Sequence, residues 1–277
     1  MTGSRSPIIS LLTDFGDDDE YVGVMKGAIL CRAPHTVIID LCHHIVPHDI
    51  RQAAHMIEAA FGYFPEGTLH VMVVDPGVGG QRGIVFAQSR HYGFLCPDNG
   101  LLTGLIARGT IEKACYVTNP TFFHDTVSTT FHGRDIFAPV AGYLSSGGKA
   151  ENLGPRLDVG KLVCLSETAA YVDGQGRLSG TVVTIDRFGN IITNIGRDLL
   201  TSAWEGDLNQ HLIIEAGNRL HKMPLVTSYD AVGTGELLAT IGSRNTLEIA
   251  VNQGSAAPRM GVLAGAPIRV ARTYKDD

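Results

Sequence analysis

Between residues 8 and 144 the chain alternates short apolar runs with stretches whose apolar residues recur at helical spacing. That alternation restricts its fold more than any other feature. Ile8–Leu12, Thr36–Leu41 and His70–Val74 are short and almost continuously apolar, and read as buried strands. Between them, Glu20–Cys31 carries Val24, Ala28 and Cys31 on one helical face, and Asp49–Phe61 carries Ala53, Ile57 and Ala60. Ile84–Ala87 and Tyr92–Leu95 read as a pair of strands, and Leu101–Ala107 and Ile136–Leu144 as helices. Parallel strands need a crossover that a helix supplies, so this order predicts an α/β layer domain with a largely parallel sheet.

The rhythm stops after Gly147-Gly148. Residues 154–165, with Gly154, Pro155 and Gly160, read as a linker. Beyond them helical periodicity almost vanishes. Leu178–Asp186, Asn190–Ile195, His211–Ala216, Leu237–Ile241, Leu247–Val251 and Pro267–Ala271 read as short strands separated by Gly, Asn and Asp turns. The expected division is an α/β domain over 1–160 and a small all-β, barrel-like domain over 161–277, with no internal repeats.

Composition removes several function classes. Hydrophobic residues make up 44% and charged residues 18%, which suits a globular chain. A net charge of −6 without any run of Lys or Arg argues against nucleic acid, whose phosphates require a basic surface. The cysteines, Cys31, Cys42, Cys96, Cys115 and Cys164, are odd in number and form no CxxC pair, so buried free thiols in a reducing compartment are expected. Residues 1–7 are polar, and Ile8–Leu12 is too short for a signal sequence or a membrane span. A cytoplasmic protein without a membrane partner is the expectation.

Ligands of open α/β sheets bind beyond the carboxyl ends of the strands, and polar clusters fall at such ends. Thr13-Asp14-Phe15-Gly16 follows the first strand. Asp14 either accepts ribose hydroxyls or caps the next helix. Val74 runs into Asp75-Pro76-Gly77-Val78-Gly79-Gly80-Gln81-Arg82, a tight turn where backbone approaches a ligand closely, though Asp75 also suits an ordinary turn. No Gly-Lys-Ser/Thr follows, so a phosphate loop is disfavoured. Thr130-Phe131-His132-Gly133-Arg134-Asp135 precedes a helix; His132 is its chemical candidate, and Arg134 and Asp135 read as structural. His43, His44, His48 and Asp49 match no metal-ligand spacing, so no metal is expected. Asp17 to Glu20 reads as a solvated helix start, and no Gly-x-Ser-x-Gly nucleophile motif occurs.

These clusters carry a family resemblance. Thr-Asp-Phe-Gly at 13–16, Val-Val-Asp-Pro-Gly-Val-Gly at 73–79, Pro-Asp-Asn-Gly-Leu-Leu at 97–102 and Phe-His-Gly-Arg-Asp at 131–135 resemble the S-adenosylmethionine hydrolases, or SAM hydroxide adenosyltransferases. So do Asp-Arg-Phe-Gly-Asn at 186–190 and the run from Gly242-Ser243-Arg244-Asn245 to Ala257. The match covers nearly the whole chain in order. The family is similar to the fluorinases and chlorinases, which attack the same carbon with halide.

The resemblance implies a homotrimer with active sites between subunits, acting on S-adenosylmethionine without a cofactor. It implies that Asp75, Arg82 and His132 form the catalytic set and that Asp14 holds the ribose hydroxyls. Asn190 would bind the adenosine part, Asp186 and Ser243 the methionine part, and Tyr229 would cover the adenine face. Phe131, Arg244, Glu248 and Val251 fall at further ligand positions of the family's motifs. Where the halogenases carry a tyrosine and a halide-binding serine, this chain has Asp75 and Gly133, and their long inserted loop before Pro97 is missing.

The expected reaction is therefore attack by water on ribose C5′, giving adenosine and methionine. Free hydroxide is scarce near neutral pH because water's pKa is ~15.7. Water held near Arg82 and His132 would develop hydroxide character, with either His132 or Asp75 as the base. The alternatives are a halide-dependent transferase, a nucleoside hydrolase and a non-catalytic adenosine or S-adenosylmethionine sensor. Asp14 to Asp19 resembles the calcium-binding start of nucleoside hydrolases but has Leu12 where that motif needs a further aspartate.

Overall fold

The computed structural model describes residues 6–166, 169–204, 211–217 and 219–273. The reading of residues 1–7 falls largely outside them. The chain divides into two compact units, Met1–Leu165 and Ser166–Asp277.

The first unit contains β1 (Ile8–Thr13), α1 (Tyr21–Arg32), β2 (Val37–Cys42), α2 (Ile50–Ala60), β3 (Leu69–Val73), β4 (Ile84–Gln88) and β5 (Gly93–Pro97). They are followed by α3 (Thr103–Ala107), β6 (Lys113–Tyr116), a π-helical turn (Gly133–Phe137), α4 (Ala138–Ser145) and β7 (Arg156–Leu157). Its sheet has the order β2-β1-β3-β5-β4-β6-β7. β1, β2, β3 and β5 run parallel, whereas β4 is antiparallel to both β5 and β6. The predicted α/β domain with a largely parallel sheet is found.

Side chains alternate across these strands with the period of the pleat. Ile9 and Leu11 of β1, with Val71 and Val73 of β3, pack in a core with Met25, Ile29 and Val140 from α1 and α4. Leu12 and Met72 point to the other face, where Ala53 and Ile57 of α2 and Leu105 of α3 lie. Helices on both faces explain why the strands read as continuously apolar.

α1 buries Val22, Met25 and Ile29, not the expected face through Val24, Ala28 and Cys31. Both sets have helical spacing, and the one with the larger side chains goes inside. In α2 the buried residues are Ala53, Ala54 and Ile57, and Asp49 caps the helix by accepting from Gln52 N–H. Residues 154–165 are no linker: β7 pairs with β6 inside the first unit. Cys96 and Cys115 are buried, but Cys31 and Cys164 are exposed, so burial of the thiols holds only in part.

The second unit contains β8 (Tyr171–Val172), β9 (Leu178–Ile185), β10 (Ile191–Gly196), α5 (Arg197–Ala203), β11 (His211–Ala216) and β12 (Arg219–Pro224). β13 (Leu237–Ile241), β14 (Thr246–Val251), α6 (Ala256–Met260) and β15 (Pro267–Arg272) complete it. The named strands pair antiparallel in the order β12-β11-β15-β9-β10-β14-β13. A bridge between Leu225 and Ala239 joins the two ends, with Val226 N–H donating to the Ala239 carbonyl at 2.8 Å. The sheet is thus a near-barrel around a core that includes Trp204, Leu212, Ile214 and Ile249. This is the all-β domain the strand spacing predicted.

Candidate active site

The register of β1 against β3 pairs Thr13 with Val73, so Asp14 and the Val74-Asp75 step leave the sheet side by side. β4 runs opposite to β3 and is separated from it by β5. The connection from Val74 to Gly83 therefore crosses the end of β5 and returns at the same edge of the sheet. That crossing puts Asp75 at its start and Arg82 at its finish, within reach of each other.

Arg82 Nε donates to both carboxylate oxygens of Asp75, each at 3.0 Å. One terminal nitrogen of Arg82 also bonds Asp75 Oδ2, and the same nitrogen lies 2.7 Å from His132 Nδ1. A guanidinium has no lone pair to offer, so His132 Nδ1 must be the acceptor. The neutral ring then carries its proton on Nε2. Burial and the adjacent Arg82 charge hold the His132 pKa below the usual histidine range, and Asp75 and Asp135 only partly oppose them.

These groups face a cavity of about 290 Å³ lined by Asp14, Asp75, Val78 and the consecutive residues Thr130, Phe131, His132 and Gly133. Arg82 stands behind Asp75 and His132 rather than among the lining residues. Phe131, Phe15 and Tyr21 form an aromatic wall, with Tyr21 and Phe131 edge to face at 5.0 Å and Phe15 and Phe131 at 6.0 Å. Carboxylates beside aromatic faces suit a cationic ligand that also carries hydroxyls.

Asp14 does not cap α1. Its Oδ2 accepts the backbone N–H of His48 at 2.9 Å, and His48 holds a left-handed conformation at φ 69°. Behind it, Thr13 Oγ1 bonds His43 Nδ1 at 2.8 Å, and the His43 carbonyl accepts Gly16 N–H at 2.8 Å. His43 Nε2 is 3.0 Å from Asp40, and His44 Nε2 is 2.6 Å from Asp17. His43 and His44 thus each have a protein partner. Tyr21, His48, Val78 and Thr130 line the cavity without having been singled out for it from sequence. Tyr21, an aromatic residue directly after an acidic run, was the one discernible signal.

In the second unit, Asp186 Oδ1 accepts the backbone N–H groups of Phe188 and Asn190, both at 2.9 Å, and Oδ2 accepts Asn190 Nδ2 at 3.0 Å. Gly189, at φ +82°, allows this turn, because a Cβ there would sit 1.8 Å from Ser255 Oγ. Glu248 of β14 is buried and accepts the Tyr229 hydroxyl at 2.5 Å. Burial, and then that bond, push the Tyr229 pKa up to about 12. Ser243 is exposed and Arg244 half-buried in the β13–β14 turn, and Val251 ends β14. The structure thus gathers Asp14, Asp75, Phe131 and His132 in one unit, and holds Asp186 with Asn190 and Tyr229 with Glu248 in the other.

Comparison with known proteins agrees with this architecture. Residues 9–154 match the SAM hydroxide adenosyltransferase N-terminal domain, and residues 180–269 the C-terminal domain of the same family. A relative named (R)-S-adenosyl-L-methionine hydrolase, from Thermus thermophilus, is 37% identical over 95% of this chain and 98% of its own. A fluorinase from Actinopolyspora mzabensis is 29% identical over 99% of this chain and 100% of its own. The crystal structure of an uncharacterized conserved protein from Thermotoga maritima superimposes with a TM-score of 0.91 at 35% identity, covering 95% of this chain and all of that one. With both domains matched in order along the chain, this protein belongs to the SAM hydroxide adenosyltransferase family.

Proposed function

We propose that this protein hydrolyses S-adenosyl-L-methionine to adenosine and L-methionine. The observation that carries the reading is the Asp75–Arg82–His132 chain facing a cavity with the Asp14 carboxylate and an aromatic wall. Relatives named for this hydrolysis support it along nearly their whole length.

Water attacks ribose C5′ in line with the C5′–S bond. That bond breaks with its electron pair going to sulfur, so the sulfonium leaves as neutral methionine, and one proton is released. Alignment of the two reactants contributes on the order of 7–11 kcal/mol when the geometry is preset. His132 Nδ1 is engaged by Arg82, so its Nε2–H orients the water and the Asp75 carboxylate accepts the proton. Arg82 sets the position of both groups, and its positive charge favours the negative charge that develops on the attacking water. Asp14 takes the ribose hydroxyls, and the sulfonium lies against the aromatic wall. Asp186, Asn190, Tyr229, Ser243, Arg244, Glu248 and Val251 serve the adenosine and methionine ends.

Two observations disfavour halide as the nucleophile. The Asp75 carboxylate repels an anion, and Gly133 carries no hydroxyl to hold one; a Cβ there would press on Met25 Sδ at 3.0 Å and Phe131 at 3.1 Å. The assembly we propose is a homotrimer whose neighbouring subunits share each site, in the cytoplasm. At subsaturating substrate, mixing the weakened Asp14→Ala and Ser243→Ala proteins would then restore part of the activity. The deciding experiment is incubation with S-adenosylmethionine and identification of the products. Adenosine with methionine supports the reading; release of free adenine, or 5′-halogenated adenosine formed only with halide, overturns it.

A further inference from the structure

Asp135 is a fully buried carboxylate that is not among the residues lining this cavity, yet it gathers the ends of the segment that does. Its Oδ2 accepts the backbone N–H of Ser128 at 2.8 Å, and its carbonyl accepts His124 N–H at 2.8 Å. Its own N–H donates to the Phe131 carbonyl at 3.2 Å. Arg134 Nε and a terminal nitrogen donate to the two carboxylate oxygens at 2.6 and 2.9 Å. The guanidinium of Arg134 also lies 5.3 Å from the centre of the Phe131 ring.

The segment so closed runs from Ser128 to Asp135, and Thr130, Phe131, His132 and Gly133 within it all line the cavity. His132 falls at the start of the π-helical turn Gly133–Phe137, a wide turn of the kind found at functional sites. Within the stretch, Ser128 Oγ meets the Thr130 hydroxyl and accepts its N–H, both at 3.2 Å, while Phe131 packs on Phe15 and Tyr21 and His132 meets Arg82.

We propose that Asp135 is a positioning residue that holds the Thr130–Gly133 wall, and with it His132, in the geometry that meets Arg82. Arg134 serves by neutralising Asp135 and covering Phe131. The carboxylate has a second effect on His132 through its charge. The charged groups that act on the imidazole are Arg82, Asp75 and Asp135, and Asp135 raises the His132 pKa, against burial and Arg82. Burial opposes ionisation of Asp135 itself, but Arg134 and the Ser128 N–H outweigh it and hold the carboxyl below its ordinary range.

The inference rests on the proposed role of His132, so its test is read first by NMR of the imidazole nitrogens, which needs no turnover. His132→Asn assigns the resonances. Asp135→Asn keeps an acceptor for Ser128 N–H while removing the charge: it retains the Nε2–H form of His132, with a titration midpoint lower than the parent's. Asp135→Ala removes the acceptor: the ring populates both tautomers, and kcat falls about tenfold or more while KM moves less. Asparagine restores most of that loss. A folded Asp135→Ala protein with the parent's tautomer and kcat overturns the proposal. If alanine prevents folding, Ser128→Pro, which removes the N–H that Asp135 holds, is read in its place, and a folded protein with the parent's tautomer and kcat overturns the proposal. A parent that does not consume S-adenosylmethionine sinks the functional reading alone, because the NMR outcomes stand without it.

Discussion

One guanidinium serves two residues: Arg82 grips the Asp75 carboxylate through Nε at 3.0 Å and reaches His132 Nδ1 at 2.7 Å. Losing it unties both at once. Arg82→Ala should therefore lower kcat about 10²–10³-fold, equivalent to roughly 2.7–4 kcal/mol of transition-state stabilisation. Binding should change much less, because the substrate sulfonium is itself cationic. Lysine is shorter and lacks the planar fork whose Nε also holds both Asp75 oxygens, so Arg82→Lys should rescue only in part. Single-turnover rates with calorimetric affinities check the split; near-parent turnover in Arg82→Ala would remove the residue from the mechanism.

Protonating His132 places a second cation against Arg82 and ends the Nδ1 hydrogen bond. Since burial and Arg82 hold the His132 pKa below the ordinary value of 6.5, activity should persist to lower pH than an unperturbed histidine would allow. Below that point the acidic limb of kcat/KM should fall. An acidic limb centred above 6.5 would contradict the geometry.

Asp14 should behave differently from the other pocket residues. Asp14→Ala removes a charged acceptor for hydroxyls, worth ~1.5–3 kcal/mol of substrate affinity. Its effect on bound-substrate turnover should be smaller. Calorimetry with S-adenosylmethionine and with adenosine checks this: adenosine affinity should fall as much, since the proposed contact is to ribose.

His70 gives a stability prediction independent of function. Its Nδ1 bonds Ser10 at 2.6 Å, and its Nε2 is buried without a partner among the described residues. Burial lowers its pKa from 6.5 to about 4. Above 6.5 the ring is neutral folded or unfolded and the shift contributes nothing. As pH falls the unfolded chain binds the proton first, so stability drops between about 6.5 and about 4, by on the order of 3 kcal/mol. Denaturant melts across this range should show that slope, and His70→Phe should flatten it.

Gly79 tests the wall from the other side. It sits at φ +75°, and a Cβ there would lie 2.2 Å from the Thr129 carbonyl oxygen. Gly79→Ala should cost at least the ~1–3 kcal/mol of a strained backbone and push the Thr129-Thr130 step outward. A lower Tm with a disproportionate loss of kcat is the expected result.

The strands that carry Asp14 and Asp75 were legible because β1 and β3 are buried on both faces and leave an unbroken apolar signature. β12 was not: Leu220 is 69% exposed, and Met223 is its one buried residue, so no alternation survives. β7, with two residues, is too short for any period to repeat. Asp14, Asp75 and His132 stood out as polar groups at strand ends or before a helix. Arg82 was identified through the family resemblance, because pairing Asp75 with a residue seven positions later depends on the crossing over β5. Tyr21 and Thr130 were missed since their place follows from packing among Phe15, Phe131 and the neighbouring loops.

The loops bearing Asp14, Asp75 and Arg82 all emerge at the carboxyl ends of β1 and β3. The opposite rim holds the α1–β2 and α2–β3 connections and the hairpin turn Ser89 to Tyr92, where Arg90 and His91 are exposed. That rim is the natural place to work on the molecule without touching its chemistry. A fluorophore, an immobilisation tag or an inserted peptide at Arg90 would leave every pocket segment unaltered, and the protein would serve as its own reporter.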